Sequence, residues 1–115
     1  MPAIDRDKNI LGHILQYCDQ VETAHRDFGR SEERFRESTT CQNAVAMCIL
    51  QIGELVGQLS PAFRESHAEI PWRKIRGMRN YVAHEYGSID IAVVWYTAGT
   101  GIDELRVFCR TQLNK

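Results

Sequence analysis

The feature of this sequence that most constrains its fold is an apolar pattern that repeats with the period of an α-helix. Between Thr40 and Leu59 the apolar residues recur three and four positions apart, and they cover one broad face: Ala44, Val45, Cys48, Ile49, Ile52, Leu55, Val56 and Leu59. A stripe this wide has to be buried against other parts of the chain. The segment is therefore predicted to be the central helix of the fold.

Helical patterns with recognisable start and stop signals lie on both sides of this segment. An amphipathic helix is predicted from about Asp5 to Asp27, ended by Gly29, and residues 30–38 are expected to form a linker or a short helical turn. Further helices are predicted from Pro61 to about His67, from Pro71 to Glu85, and from Ser88 or Asp90 onward, the last one broken at Gly99 and Gly101. No segment alternates with period two, so the predicted fold is all-α, a four- to five-helix up-and-down bundle.

Composition limits the function classes that are open to this chain. Its 115 residues are 43% apolar and 25% charged, which is typical of one globular domain, and we expect residues 1–115 to fold as one. The net charge of −1 means that any contact with nucleic acid must be local. The N-terminus has no signal-peptide core and no stretch approaches the length of a membrane span, so we expect a cytoplasmic protein with no membrane contact.

The cysteines and histidines give no sign of a metal site. Cys18, Cys41, Cys48 and Cys109 form no C-x-x-C pair and have no metal-ligand spacing with the four histidines. We expect these cysteines to be small buried thiols, and we expect no metal and no other cofactor.

Chemistry-bearing residues are concentrated in the predicted helix that follows Pro71. One arc of this helix holds Trp72, Ile75, Met78, Val82, Ala83 and Tyr86, and Arg79 falls inside the same arc. A guanidinium on a core-facing arc keeps its proton, so it needs a carboxylate or must face a cleft where a phosphate supplies the anion. Glu54, on a side of the central helix shared with Met47 and Leu50 that we expect to be covered, is a candidate partner, although such a pair could be purely structural.

Other polar residues of this helix suggest phosphodiester chemistry. Asn80 and His84 are four positions apart and share one side of the helix. An arginine can stabilise charge on phosphoryl oxygens, and a histidine can move the proton of a ribose 2′-hydroxyl or protonate the leaving 5′-oxygen. RNA supplies its own nucleophile, so no metal is required. Arg79 and His84 lie roughly 140° apart around an ideal helix, and a second subunit could supply the missing group.

A local basic patch precedes these residues. Arg73, Lys74 and Arg76 stand close to Arg79 in the sequence, while the acidic residues are spread along the rest of the chain. The patch could contact RNA phosphates or could be a solvated helix face.

The pattern Arg79-Asn80-x-x-x-His84-x-Tyr86 resembles the signature of the HEPN superfamily, and in particular the HepT-like toxins of prokaryotic toxin–antitoxin pairs. Other segments look like the same family in the same order: Ile52-Gly53-Glu54, Ile70-Pro71-Trp72, and Val94-Trp95 after Asp90. The resemblance implies a helical homodimer in which two signature segments form a shared cleft. Gly99-Thr100-Gly101 departs from the steadier helix or proline expected of the family at that point.

For function, the resemblance implies a metal-independent endoribonuclease. Arg79 and His84 would be catalytic, and Asn80 would orient them. Tyr86 would accept AMP from a cognate nucleotidyltransferase antitoxin, or it would be a packing residue with its hydroxyl at the rim. Two other readings of the sequence remain: a non-catalytic HEPN module that binds a nucleotide or a nucleotidyltransferase, and a helical dimerisation adaptor with a structural Arg79–Glu54 pair.

Overall fold

The computed structural model describes residues 3–85 and 88–115, with side chains described from residue 5 onward. These ranges hold seven α-helices and no strand: α1 Ala3–Asp27, α2 Glu32–Arg36, α3 Thr39–Gln58, α4 Pro61–Ser66, α5 Trp72–Glu85, α6 Ile91–Gly99 and α7 Gly101–Leu113. Helices α2 and α4 are short, and the other five build the body of the molecule. The predicted all-α bundle is confirmed.

Local side chains set where the helices begin and end. Ser38 Oγ accepts a hydrogen bond from Cys41 N at 3.2 Å at the start of α3, and Asp90 Oδ1 accepts one from Ala92 N at 2.9 Å at the start of α6. Helix α1 ends at Asp27, and Gly29 follows it with a φ of 62°. The predicted break between the last two helices is present at Thr100.

The core lies between α3 and its neighbours. Helix α3 packs against α1 on one side and α5 on another, and α7 packs against α1. The buried apolar faces of these helices form one cluster, which includes Ile14, Val21, Ile52, Val56, Val82 and Leu105. The prediction that the Thr40–Leu59 segment is the central helix is therefore confirmed. None of the helices among the described residues is long and apolar enough to cross a membrane.

All four cysteines are buried and unpaired, as predicted. Burial raises the pKa of each thiol above its ordinary value, most strongly for Cys18 and Cys109. These side chains are neutral at physiological pH and serve as small apolar residues of the core.

His25, near the C-terminal end of α1, also has a structural role. The His25 ring stacks on the Trp95 ring of α6 with centroids 4.0 Å apart, and Arg30 Nη1 lies 3.1 Å from His25 Nδ1. Burial, with a further contribution from the positive charge of Arg30, lowers the pKa of His25. The folded environment therefore favours the neutral form of this ring.

Three expectations about covered surfaces are wrong, the first being Ala44 on the predicted apolar face of α3, which is exposed. Ala83 is exposed, because α5 has a narrower apolar face than the sequence pattern suggested: Val82 is fully buried while Ile75 and Met78 are half-buried. Met47 on α3 is 50% exposed, so the side of α3 that it shares with Glu54 is open to solvent here. The glycine at position 87 is the stop that the sequence predicts for the helix of Pro71 to Glu85, and both Gly87 and Tyr86 lie outside the described residues.

Candidate functional site

The candidate site is built where α5 crosses α3, and a glycine allows the crossing. A Cβ placed on Gly53 would lie 2.7 Å from Arg79 Cγ, closer still to Arg79 Cβ, and 3.4 Å from Arg79 Cα. Real Cβ atoms do not approach their neighbours so closely, so only glycine lets the two helices come this near. The stem of Arg79 therefore lies directly against the backbone of α3.

A contact at a second glycine shows the relative direction of the two helices. The Arg76 guanidinium lies beside Gly57, with atoms 3.5 to 3.6 Å from where a Cβ would be. Because position 53 faces 79 and position 57 faces 76, α3 and α5 run antiparallel. By this register, Met47 lies near the level of His84 and Glu85.

The Arg79 guanidinium is held between two polar partners. Its Nε forms an ion pair with a carboxylate oxygen of Glu54, and its Nη1 donates to Asn80 Oδ1 at 3.0 Å. The Arg79 side chain is 33% exposed and that of Glu54 is 49% exposed, so the pair lies at the surface. The Arg79–Glu54 partnership considered from the sequence is thus present in the structure.

This pair borders an open cavity between α3 and α5. The cavity has a volume of about 270 Å³, and it is lined by Gly53, Glu54, Gly57, Gln58, Arg76, Arg79 and Asn80. A small anion that entered it would meet the cationic face of Arg79 and the amide of Asn80.

His84 lies one helical turn beyond Asn80, and both side chains are exposed. Four residues of helix place them on one side of α5, as predicted. Arg79 points instead towards α3, and no hydrogen bond joins it to His84 among the described residues. The structure thus brings Arg79, Asn80 and Glu54 together and leaves His84 on the neighbouring face of the same helix.

The predicted basic patch is divided between two sides of α5. Arg73 and Arg76 line a groove of about 880 Å³ between α4 and α5. Lys74 instead lines a cavity of about 500 Å³ with Ile75, Met78 and Tyr96. Successive helix positions are about 100° apart, which is why neighbours in sequence point to different surfaces.

Two residues of this region have roles that sequence reasoning missed. Arg64 on α4 lines the same groove as Arg73 and Arg76, but no spacing in the sequence connects a short helix with the face of another helix. The hydroxyl oxygen of Tyr81 accepts a hydrogen bond from Asp90 N at 2.8 Å, which ties α5 to the start of α6. In the part of the chain that is described, no three His, Cys, Asp or Glu residues are grouped so that they could hold a metal ion.

Fold and site together define an all-helical protein with an arginine–asparagine pair at an open cavity and a histidine one turn away. Comparison with known proteins gives the family: residues 14–111 match the HepT-like family, described as "Ribonuclease HepT-like". The chain belongs to this family.

Individual relatives agree with this assignment. A protein of Caldanaerobacter subterraneus subsp. tengcongensis named "Putative RNase TTE0752" is 35% identical over 105 residues, which cover 91% of this chain and 92% of the relative. A protein of Thermococcus cleftensis named "Probable ribonuclease HepT" is 30% identical over 99 residues, which cover 86% of this chain and 88% of the relative. No solved structure matches the chain significantly.

Proposed function

We propose that this protein is a metal-independent endoribonuclease and the toxin of a toxin–antitoxin pair. The observation that carries the proposal is the Arg79–Asn80 pair at an open cavity, one helical turn from the exposed His84. Membership of the HepT-like family and the ribonuclease names of its relatives support the same activity. The substrate is RNA, because the 2′-hydroxyl serves as the attacking group.

In the proposed reaction, the Arg79 guanidinium binds the non-bridging oxygens of the scissile phosphate and stabilises their growing charge. The 2′-oxygen attacks the adjacent phosphorus, the bond from phosphorus to the 5′-oxygen breaks, and a 2′,3′-cyclic phosphate and a free 5′-hydroxyl result. His84 accepts the 2′-hydroxyl proton or donates a proton to the 5′-oxygen, and solvent water makes the other proton transfer.

Asn80 and Glu54 position the arginine for this role. Asn80 accepts a hydrogen bond from Arg79 Nη1, and Glu54 forms an ion pair at Arg79 Nε. Nη2 has no hydrogen bond to a described residue. The guanidinium plane is thereby fixed at the cavity wall before RNA arrives, and such preorganisation lowers the cost of binding the transition state.

We further propose that the protein is a homodimer whose subunits share the cleft. Arg79 and His84 diverge around α5, so the His84 that acts with a given Arg79 comes from the partner subunit. Exposed apolar side chains support the contact: Met47 is near the level of His84, and Val93 and Tyr96 are exposed on α6. A partner helix that covers them would remove apolar surface from water.

The proposed antitoxin is a cognate nucleotidyltransferase that modifies Tyr86. The tyrosine hydroxyl attacks the α-phosphorus of ATP, pyrophosphate leaves, and AMP remains on the tyrosine oxygen. A bulky anion two positions from His84 would block the approach of RNA. This step rests on the resemblance of the Arg79–Tyr86 segment to the family signature, because Tyr86 is outside the described residues.

One observation favours a second candidate, a non-catalytic HEPN module that binds a nucleotide or a nucleotidyltransferase. Arg79 is already paired with Glu54, so its charge is partly neutralised without RNA. A binding module requires only that the cleft recognise a phosphate, and it would tolerate loss of His84.

The deciding experiment is RNA cleavage in the presence of EDTA. We expect the wild-type protein to release products with 2′,3′-cyclic phosphate ends, and we expect Arg79→Ala and His84→Ala each to slow cleavage by about 100-fold or more. His13→Ala is the matched control, because His13 is exposed on α1, and it should cleave like the wild type.

Folding of every variant is checked by circular dichroism. A folded wild-type protein that binds RNA without cutting it would replace the nuclease proposal with the binding module. Equal cleavage by wild type and His84→Ala would remove His84 from the mechanism.

A further inference from the structure

Two depressions adjoin along one side of α5. The larger, of about 880 Å³, lies between α4 and the first half of α5, and the smaller is the cavity beside Arg79. They share Arg76 and Asn80 as lining residues, so they form one continuous surface, which we call the α4–α5 groove. This groove extends well beyond the atoms that the proposed reaction requires.

Arginines dominate the charge of the α4–α5 groove. Arg64 comes from α4, Arg73 and Arg76 come from α5, and Glu65 is the one carboxylate among the residues that line the larger depression. None of these three arginines forms an ion pair with any residue that the structure describes. Their charges are therefore available to an anionic ligand.

The three arginines differ in how far they are buried. Arg64 Nε is buried, whereas Arg73 and Arg76 are exposed, with the Arg76 guanidinium 3.5 to 3.6 Å from where a Cβ of Gly57 would be. Positions 73, 76 and 79 are three residues apart, so these residues follow one another at intervals of about 4.5 Å along the axis of α5. They form a row that leads to Arg79.

The α4–α5 groove is also lined by apolar side chains. Pro61, Ile70, Pro71 and Trp72 line it, and the Trp72 indole N–H donates to the carbonyl oxygens of Arg64 and His67 at 3.1 and 3.0 Å. Cationic and apolar side chains in one groove match a strand whose phosphates and unpaired bases both need partners.

We propose that the α4–α5 groove binds the single-stranded RNA that flanks the scissile phosphodiester, with Arg64, Arg73 and Arg76 contacting its phosphates. The inference rests on the proposed function, because the row of arginines leads to Arg79. A single strand is favoured over a duplex as the occupant, because the stacked bases of a duplex cannot contact the apolar residues of the groove. Arg64 is the residue that this proposal adds to the site.

The test measures binding separately from cleavage. The protein carries His84→Ala, so that RNA is bound without being cut, and a fluorescein-labelled single-stranded RNA of about a dozen nucleotides is titrated by anisotropy at several salt concentrations. We expect Arg64→Ala and Arg73→Ala each to weaken binding about five- to tenfold, and to reduce the slope of log K against log[salt] by about 0.7.

Arg26→Ala is the matched control, because Arg26 is exposed on α1 and forms no ion pair with a described residue. Unchanged affinity in this variant, with weaker binding in the two groove variants, supports the groove. Equal losses of affinity in all three variants would mean that RNA binding depends on the net charge of the protein rather than on the groove, and the proposal would be overturned.

Competitors identify the class of ligand. Unlabelled single-stranded RNA should displace the probe, and a duplex of equal length or a polyglutamate peptide should not. Displacement by the peptide at similar concentrations would reassign the groove to acidic proteins. If the groove variants weaken RNA binding but the wild-type protein never cleaves RNA, the groove stands and the nuclease proposal fails. If Arg64→Ala cleaves the same RNA with an unchanged KM, the nuclease proposal stands and the groove proposal fails.

Discussion

The position of Arg79 depends on a residue of the neighbouring helix that has no side chain. Because Gly53 brings the backbone of α3 against the stem of Arg79, the guanidinium reaches both Glu54 and Asn80. A wider separation of α3 and α5 would move the arginine relative to both partners, and with it the proposed phosphate site.

We expect Gly53→Ala to destabilise the fold by about 1–3 kcal/mol, because the added methyl group overlaps the atoms of Arg79 nearest the backbone. Gly57→Ala is the matched control: position 57 is exposed, a Cβ there meets only ordinary contacts, and alanine should stabilise the helix by up to about 1 kcal/mol. Urea unfolding of both variants gives the comparison. Equal effects at the two positions would show that the close approach at Gly53 does not matter.

For single residues, the sequence predicted some contacts and could not predict others. The Arg79–Glu54 pair was predictable, because an arginine among apolar positions needs an anion and Glu54 was available on the central helix. Arg64 was not predictable, since its relation to α5 depends on how the short helix α4 folds back. Exposure of Ala83 was missed because periodicity gives the centre of an apolar arc better than its edges.

Helix α4 has only six residues, but it forms one side of the proposed α4–α5 groove. Its start is held by Ser60, whose Oγ accepts a hydrogen bond from Phe63 N at 3.1 Å. Asp7 of α1 is buried and accepts hydrogen bonds from Ser60 N at 2.8 Å and Ser60 Oγ at 2.7 Å. Residues 53 positions apart therefore fix α4 to the rest of the molecule.

Asp7→Ala should lower the free energy of unfolding by about 1–3 kcal/mol, because it leaves the Ser60 N–H and hydroxyl without their buried acceptor. Asp5→Ala is the control: Asp5 is exposed in the first turn of the same helix, and its loss should cost only about 0.5 kcal/mol through the helix dipole. Thermal unfolding followed by circular dichroism measures both. A loss in Asp7→Ala no larger than in Asp5→Ala would refute this role.

Helix boundaries were the most predictable part of the fold, because their signals are local. Ser60-Pro61 and Asp90 begin helices as expected, and Thr100 separates the last two. The buried Asp7 was not recognised, since an aspartate near the start of a helix is ordinarily solvated, and only the folded chain brings it to Ser60.

For the whole molecule, the proposed shared cleft predicts complementation between inactive chains. Arg79→Ala and His84→Ala proteins are each expected to be inactive, but a mixed dimer would contain one cleft with both residues intact. Random mixing makes half of the dimers mixed, with one active cleft of two, so about a quarter of wild-type activity should return.

The experiment uses co-expressed chains with two different tags, followed by RNA cleavage in EDTA. Met47→Glu, placed at an exposed apolar position near the level of His84 along the helices, should prevent the recovery and shift the protein to a monomer in light scattering. Mixed dimers without activity would show that Arg79 and His84 act from the same chain.

The hydrogen bonds from Trp72 to the last carbonyls of α4 have a consequence for how a long substrate would be cut. They join α4 to the first turn of the helix that carries Arg79, and so restrain the two sides of the groove relative to each other. A strand gripped by the groove would present its scissile bond at a constant distance from the grip. The distance between the phosphates held in the groove and the bond that is cut would then be set by α5 rather than by base identity.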